Sequence, residues 1–325
     1  MNGTARRVAV FLTCVAIASS AAAQDTNRNQ DTNTNVERGR AKTEAARRAA
    51  QAKAESAQRR TTARGRGQAD ISEAFSQTVR LVPGGTLDLL SGSGDVTVSG
   101  GGGQEARIEA IKRVRDTVAA RARTAINEVR IDIAERGGNV EVRTIQPRGP
   151  SRVTVEYRIR VPDNTNLILR STSGNLHVEN MAGDELSANT ISGRITLRDL
   201  TSRMLDLHSV MGDMLLHDIE ARRAFVQSTS GNLEYAGRLL PTGRYQLQTH
   251  RGNIRFVPSG EPGFDLEAMT YSGDLRTDFV LKLLEPLAGR QGRRPMKMLR
   301  GTVGNAGALV TASTFSGNVL IVKPE

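Results

Sequence analysis

The side chains that most often bind metal ions are few and scattered in this sequence. The four histidines, His177, His208, His217 and His250, each hold a different position within the repeat described below. The single cysteine is Cys14. A zinc site needs three or four clustered nitrogen, sulfur or carboxylate ligands. We therefore expect no metal site and no cofactor.

Carboxylates could instead act as the acid and the base of a glycoside hydrolase, which needs two of them on one face. The candidates in the second half of the chain are Glu220, Glu234, Glu261, Asp265, Glu267, Asp274 and Asp278. The sequence pairs no two of them, and only Asp274 keeps a repeated position. A carbohydrate-active enzyme on a β-helix is thus an alternative, whereas a non-catalytic protein is the main expectation.

Glycine-rich turns raise the question of phosphate or calcium binding. The run SGSGDVTVSGGGGQ, residues 91–104, lacks the Gly-Lys-Ser/Thr ending of a phosphate loop, and no helix follows it directly. Calcium-binding β-rolls repeat aspartate at short fixed spacing, whereas these Ser-Gly turns recur about every 20 residues. Asparagine replaces aspartate at four turns and Arg194 at another. The pattern therefore favours turn chemistry over ligand binding.

The first 23 residues have the pattern of a secretory signal peptide, with Arg6 and Arg7 before an apolar run and small residues at its end. We expect cleavage after Ala23, which would remove Cys14 and leave no cysteine for disulfides. The expected location is therefore the periplasm, the outer-membrane surface or the extracellular space.

Residues 24–72 are polar and basic, and alanine supplies most of their hydrophobicity. The predicted structure is a linker, disordered or partly helical. The linker contains 11 Lys/Arg against 6 Asp/Glu and so carries +5 of the formal charge of +11. A peripheral contact with acidic lipid headgroups is therefore a possible role for it.

A repeat dominates the chain after the linker. Its turns share a glycine, in the order Gly94, Gly174, Gly193, Gly212, Gly231, Gly252, Gly273 and Gly317. From Gly174 the intervals are 19, 19, 19, 21, 21 and 44 residues, and the last is interpreted as about two repeats. Serine or threonine always stands three residues before the glycine, and apolar residues stand seven before and two after it.

This period predicts an all-β, single-domain β-solenoid of about 20-residue repeats over residues 73–325. The apolar positions line the interior, because alternate side chains of a strand point the same way. We expect the serine and threonine column to form a ladder of hydroxyl groups between rungs. We also expect the Gly317 rung to be the last of the stack, capped only by residues 323–325.

Residues 105–160 depart from this rhythm. ARIEAIKRV alternates as a strand, RDTVAARARTAINEV has apolar residues at helical spacing, and RIDIAERGGNVEVRT is typical of a hairpin. A further strand, SRVTVEYRIRV, completes the segment. We predict a small α+β insertion near the start of the solenoid.

The runs VPDNTNLILRSTSGNLHVENMAG and LRGTVGNAGALVTASTFSGNVLIVK, with the repeated Ser-Gly-Asp/Asn turns, resemble the putative-adhesin domains of bacterial envelope proteins. The resemblance covers about residues 75–325. It implies a β-solenoid of a domain family of unknown function, and it brings no catalytic residues.

The expected function is binding or structural, as an adhesin-like protein of the cell envelope. Alternatives are a periplasmic envelope-stress or signalling accessory and the carbohydrate-active enzyme. The partner would be a macromolecule such as an envelope polysaccharide or a surface protein. Aromatic residues are 3% of the chain and tryptophan is absent, so we expect no nucleic-acid partner. A small-molecule substrate is not expected.

The most basic insertion in the repeat is the segment GRQGRRPMK, residues 289–297. Loops on rigid scaffolds often carry function, and clustered positive charge attracts anionic polymers. The candidate polyanion contacts are Arg290, Arg293, Arg294 and Lys297.

Overall fold

The computed structural model describes residues 69–101, 103–116, 118–147, 152–260, 263–283, 296–305 and 307–324. The predicted signal peptide with its cleavage site at Ala23, and nearly all of the predicted linker, lie outside these residues. So do three of the four candidate polyanion contacts, Arg290, Arg293 and Arg294.

The described residues form twenty strands and one α-helix, α1 (Ala119–Glu128), which lies between β4 and β5. The first ten strands are β1 (Ala69–Arg80), β2 (Thr86–Ser93), β3 (Val96–Gly100), β4 (Glu105–Asp116), β5 (Arg130–Arg136), β6 (Asn139–Ile145), β7 (Val153–Val161), β8 (Asn166–Ser173), β9 (Leu176–Met181) and β10 (Glu185–Ser192). The others are β11 (Ile195–Met211), β12 (Met214–Ser230), β13 (Leu233–Arg251), β14 (Ile254–Ser259), β15 (Phe264–Ser272), β16 (Leu275–Thr277), β17 (Lys282–Leu283), β18 (Lys297–Val303), β19 (Ala308–Ser316) and β20 (Val319–Ile321).

Two parallel ladders meet at the glycine turns and confirm the predicted all-β solenoid. Before the turn, the ladder runs β2, β8, β10, β11, β12, β13, β19 and β15. After the turn, it runs β3, β9, β11, β12, β13, β14, β20 and β16. The pairing keeps each repeat position in its own column, as Leu167, Leu186 and Leu205 illustrate.

The rungs do not stack in the order of the sequence. β19 lies between β13 and β15, so the Gly317 turn sits between those of Gly252 and Gly273. β18 pairs antiparallel with the other edge of β15. The expectation that Gly317 marks the last rung is therefore wrong. Within the 44-residue interval, the chain passes through β16, β17 and β18. It then returns as β19, which pairs with the inner edge of β15.

At the other end of the stack, the predicted strand, helix and hairpin of residues 105–160 are present. This segment is continuous with the solenoid, since β6 pairs in parallel with β2 and β7 in parallel with β3. β4 adds antiparallel to β7, and β1 adds antiparallel to β4. α1 packs against β1 and β4 and buries Ala122 and Ile126 in the core.

The interior consists of the predicted apolar columns. All eight residues seven positions before the glycine are buried: Leu87, Leu167, Leu186, Leu205, Ala224, Tyr245, Leu266 and Val310. Two positions after the glycine, seven of the eight are buried, and Leu275 of the outermost rung is partly buried. Burial of apolar surface along these columns, worth about 25 cal/mol per Å², is the main stabilising contribution.

A second corner, which the glycine pattern does not reveal, follows six residues after the turn. Asn180, Asp199 and Asp218 there adopt left-handed backbone angles, with φ of 56°, 49° and 55°. Asparagine and aspartate tolerate this conformation better than other residues with a Cβ. Their recurrence at one position of successive repeats was the available sequence signal.

Close backbone contact explains why the turn position is always glycine. A Cβ on Gly174 would overlap the carbonyl of Gly94, and the same overlap recurs from rung to rung along the column. Seven of the eight glycines also have φ between +121° and +156°, angles that residues with a Cβ rarely adopt. The turn position therefore requires glycine for two reasons, the close contact with the neighbouring carbonyl and the positive φ.

The residue after the glycine links neighbouring rungs through its side chain. Asn175 N–H donates to Asp95 Oδ1 at 2.8 Å, and Asn253 N–H donates to Asn232 Oδ1 at 2.9 Å. Of the seven pairs of neighbouring turns, six are joined in this way. The exception follows Arg194, whose side chain has no acceptor for the N–H of Asp213; its guanidinium lies 3.7 Å from the Asp213 carboxylate instead.

The predicted ladder of hydroxyl groups is wrong. The serine and threonine column is buried, but rungs lie about 4.8 Å apart, beyond the reach of a hydroxyl–hydroxyl hydrogen bond. Thr249, Thr270 and Thr314 donate to carbonyls of the adjacent glycine turns instead. Within the described residues, the hydroxyls of Ser91, Thr190, Ser209 and Ser228 have no hydrogen-bond partner.

Three of the four tyrosines are buried in the interior. Burial raises the pKa of Tyr157 to about 12, although its hydroxyl contacts the Thr144 hydroxyl at 2.7 Å. Burial likewise raises the pKa of Tyr235 and Tyr245, whose ring centroids lie 5.6 Å apart. The Tyr245 hydroxyl donates to the carbonyl of Ala221 at 2.7 Å.

The substitution Gly174→Ala tests the close contact at the turn. We expect it to lower the free energy of unfolding by on the order of 3 kcal/mol, because backbone strain and steric overlap add. Gly101→Ala is the control: Gly101 has φ of +103°, but among the described residues no atom beyond its chain neighbours lies within 4 Å of the added Cβ. It should cost only about 1 kcal/mol. Equal losses in urea titrations would contradict the role of the carbonyl contact.

The substitution Arg194→Asn should complete the side-chain ladder at the turns. A neutral hydrogen bond contributes about 1 kcal/mol, whereas the exposed Arg194–Asp213 ion pair that is lost contributes little. The melting temperature should therefore rise. Asn232→Ala removes an existing link and should lower it. A variant R194N no more stable than the wild type would show that the ladder does not stabilise the stack.

The buried tyrosines predict a loss of stability at alkaline pH. Because their pKa values are raised in the folded protein, the neutral phenols stabilise it fully below about pH 10. This contribution is lost as the pH rises toward the folded pKa, which is about 12 for Tyr157. Urea titrations from about pH 8 to about pH 11 should show the decrease, and Tyr157→Phe should make it shallower. Ionisation of the three phenols near pH 10 without unfolding would contradict this.

Candidate functional site

Among the candidate polyanion contacts, the structure describes only Lys297, the first residue of β18. Its Nζ donates to the carbonyl of Gly273 at 2.7 Å and to Asp274 Oδ1 at 2.9 Å. These contacts lower the pKa of the Asp274 carboxyl. The Lys297 ammonium is thus held at the turn of the outermost rung, on a strand rather than in a free loop.

A surface groove of about 440 Å³ runs across the strands just before the glycine turns. It crosses the rungs of β2, β8, β10, β11 and β12. Its lining residues are Leu90, Arg170, Ser171, Thr172, Asn189, Thr190, Ile191, His208, Ser209, Val210, Gln227 and Thr229. We call it the corner groove.

The two walls of the corner groove differ in chemistry. One wall is the column four residues before the glycine, and beyond Leu90 it is polar: Arg170, Asn189, His208 and Gln227. The other wall is the column two residues before the glycine. There, Ile191 and Val210 are 52% and 45% exposed, with a threonine on either side of them. The groove therefore offers hydrogen-bonding groups on one side and aliphatic surface on the other.

The floor of the groove is the serine and threonine column. The Oγ atoms of Ser209 and Ser228 and the Oγ1 of Thr190 are buried and have no hydrogen-bond partner within the described residues. These hydroxyls point into the interior, so the polar contacts of a ligand in the groove would come from the amide and imidazole wall.

Aromatic rings continue the aliphatic wall toward the β15 end of the stack. His250 and Phe315 have ring centroids 4.8 Å apart, and Phe315 and Tyr271 4.7 Å apart, with interplanar angles of 11° and 6°. Since these separations match the strand spacing, the ring faces cover one another and their edges point outward. The row thus extends the apolar wall and does not offer ring faces for stacking on a sugar.

Apolar exposure continues past this row onto the capping strands. Met269 lies on the same face of β15 as Tyr271, and Met298 of β18 lies opposite it. Met298 is 50% exposed and Phe315 48% exposed. Sequence reasoning missed this surface, although Ile191, Val210 and Phe315 all stand two residues before a repeat glycine.

Two of the four histidines, His208 and His177, each lie beside one carboxylate. Nε2 of His208 is 3.0 Å from the Asp206 carboxylate, and Nε2 of His177 is 3.3 Å from that of Glu179. Within the part of the chain that the structure describes, no group of three or more histidine, cysteine, aspartate or glutamate residues could hold a metal ion.

Several of the carboxylates singled out in the sequence also have cationic partners. Glu220 lies 3.6 Å from Arg238, and Glu234 lies 3.7 Å from Arg255. Asp265 accepts a hydrogen bond from Thr302. Glu261 lies outside the described residues.

Comparison with solved structures finds similar chains from bacteria. A putative cell adhesion protein from Clostridium sporogenes is 12% identical, with 78% of this chain and 100% of that chain covered and a TM-score of 0.36. A putative adhesin from Bacteroides fragilis is 9% identical, with 78% and 97% covered and a TM-score of 0.36. A putative lipid binding protein from Parabacteroides distasonis is 10% identical, with 78% and 97% covered and a TM-score of 0.32. These likenesses carry no weight in the functional argument.

No curated protein matches the chain. Among the described residues, no helix is both long and apolar enough to cross a membrane.

The family model of the Toastrack DUF4097 domain, a domain of unknown function, matches residues 123–322, from within α1 to just past β20. This match agrees with the predicted resemblance to a solenoid domain of unknown function. The chain therefore belongs to the Toastrack DUF4097 family.

Proposed function

We propose that the protein is a non-catalytic, exported binding protein that holds a linear polysaccharide of the cell envelope along the corner groove. The observation that carries this proposal is the continuity of the groove, which crosses five successive rungs, with a polar wall on four of them and Ile191 and Val210 at the centre of the other wall. A ligand that fits it is extended and lies parallel to the stack.

The spacing of the rungs supports a polymeric ligand. Equivalent side chains on neighbouring rungs recur about every 4.8 Å, so weak contacts repeat along one direction. Repeat proteins use such extended surfaces for binding, because each rung adds a similar small contribution. A compact small molecule would touch only one or two rungs.

The chemistry of the walls favours a sugar polymer over a purely apolar ligand. Asn189 and Gln227 carry amides that can both donate and accept hydrogen bonds, as the hydroxyl groups of a sugar require. Ile191 and Val210 on the other wall match the C–H faces of pyranose rings. Binding sites for small polar ligands commonly combine apolar surface with a few polar groups in this way.

The exported location forms part of the proposal. It is supported by the signal-peptide pattern of residues 1–23.

The non-catalytic character is supported by the state of the carboxylates. A glycoside hydrolase needs a carboxyl group whose raised pKa keeps it protonated as an acid. Lys297 lowers the pKa of Asp274, the one candidate catalytic carboxylate at a repeated position. Glu220 and Glu234 lie beside arginines.

The substitution Val210→Arg tests the proposal by filling the corner groove with a long charged side chain. Leu215→Arg is the matched control, because Leu215 points outward from β12 after the glycine turn and lies away from the groove. We expect the wild type and L215R to sediment with insoluble envelope polysaccharide, and V210R to bind about tenfold more weakly, a loss of ~1.4 kcal/mol. A double variant, Asn189→Ala with Gln227→Ala, should weaken binding through the polar wall.

The experiment has two contradicting outcomes. If the wild type does not sediment with polysaccharide, or V210R sediments equally well, the groove is not a polysaccharide site. If binding is lost when the envelope preparation is treated with protease, the ligand is a surface protein.

A further inference from the structure

A second depression, of about 440 Å³, lies on the outward faces of β3, β4, β7 and β9, at the β1 end of the stack. It is separate from the corner groove and shares no lining residue with it. Its lining residues are Thr97, Ser99, Arg107, Glu109, Arg158, Ile159, Arg160 and Glu179.

Strand register creates this depression. Arg158 and Arg160 are two residues apart on β7, so their side chains leave the same face of the sheet. On β3, Thr97 is paired with Arg158 and Ser99 with Arg160. The two short hydroxyl side chains leave a hollow beside the long arginines.

The other neighbour of β7 adds positive charge. On β4, Arg107 lies directly opposite Arg160, and Glu109 lies opposite Arg158. Glu109 is engaged by Arg107, whose Nη2 lies 2.8 Å from its Oε1. Glu179, on the far side, is 3.3 Å from His177. Each carboxylate of the depression thus has a hydrogen-bond or ion-pair partner other than the β7 arginines.

Arg158 and Arg160 are the arginines of the depression that form no ion pair within the part of the chain that the structure describes. Among the described residues, neither has a carboxylate oxygen within 4.0 Å. Two like charges directly opposite on neighbouring strands, as Arg107 and Arg160 are, destabilise a sheet. An arrangement that costs stability in the free protein, beside two hydroxyl donors, is typical of a site that an anion completes.

We propose that this depression binds a phosphate group. Guanidinium groups bind phosphate oxygens through paired N–H donors, and here they approach from β7 while Thr97 and Ser99 donate from β3. Donors that arrive from two directions suit a tetrahedral group better than a planar carboxylate. The group could be free phosphate or a phosphate ester on an envelope glycan, since both present the same oxygens.

This site does not depend on the proposed function of the corner groove. No residue of the depression is altered in the groove variants, and no groove residue is altered in the experiment below. Failure of either proposal therefore leaves the other intact.

The double substitution Arg158→Gln with Arg160→Gln tests the site. Both side chains are exposed, so the variant should fold, and its melting temperature in chloride should equal or exceed that of the wild type because the like-charge contact is relieved. Adding inorganic phosphate at constant ionic strength should raise the melting temperature of the wild type by roughly 3 °C more than that of the double variant.

Two controls separate specific binding from general effects. Phosphate stabilises many proteins by exclusion from their surfaces, and that part should be equal in the wild type and the double variant. Arg222→Gln removes an exposed arginine of β12 that lies outside the depression, and it should respond to phosphate as the wild type does.

Further ligands identify the source of the phosphate. If glucose 6-phosphate shifts the wild type more than inorganic phosphate does, the site takes a phosphorylated sugar. If glucuronate produces the full shift and phosphate does not, the site takes a carboxylate and the proposal is wrong. The proposal is likewise overturned if phosphate shifts the wild type and the double variant equally.

Discussion

The backbone contact between successive glycine turns is the constraint on which the rest of the structure depends. The carbonyl of one turn occupies the space where a side chain on the next would stand, so neighbouring rungs stay in register at this edge. Every column of the solenoid then follows from strand alternation alone. The side-chain ladder through Asp95, Asn175 and their equivalents adds hydrogen bonds to a stack whose alignment the glycines already require.

This register also places the two candidate binding surfaces. The corner groove exists because the residues two and four positions before the glycine stand outward on either side of a buried hydroxyl column. The phosphate depression exists because small residues of β3 lie in register with the arginines of β7. In both cases, the residue type is kept in the interior columns of the repeat and varies in the outward columns. The interior columns stay apolar, whereas the outward columns change from threonine to isoleucine to phenylalanine without cost to the core.

The repeat period, the interior columns and the α+β segment were readable from the sequence because each depends on local alternation and turn chemistry. The glycines and the aspartates or asparagines after them identify the turns, and Leu167, Leu186 and Leu205 align without knowledge of the fold. The insertion of β19 between β13 and β15 was not readable, because a parallel rung pairs equally well on either side. The prediction of a hydroxyl ladder was wrong because the spacing between strands exceeds the length of a hydrogen bond between two hydroxyl groups. The phosphate depression needs the β4–β7 pairing, which joins residues about 50 positions apart.

The position of β19 has a consequence for how the molecule can be assembled during synthesis. β15 leaves the ribosome before β19, yet its inner edge is completed only by β19. Until then, β13 and β15 each present an unpaired edge where the other rungs are already closed. Folding therefore cannot proceed strictly from one end, as it can in a solenoid whose rungs follow chain order. The native topology therefore closes only when nearly all of the sequence is present, and a chain that ends before β19 leaves the facing edges of β13 and β15 open.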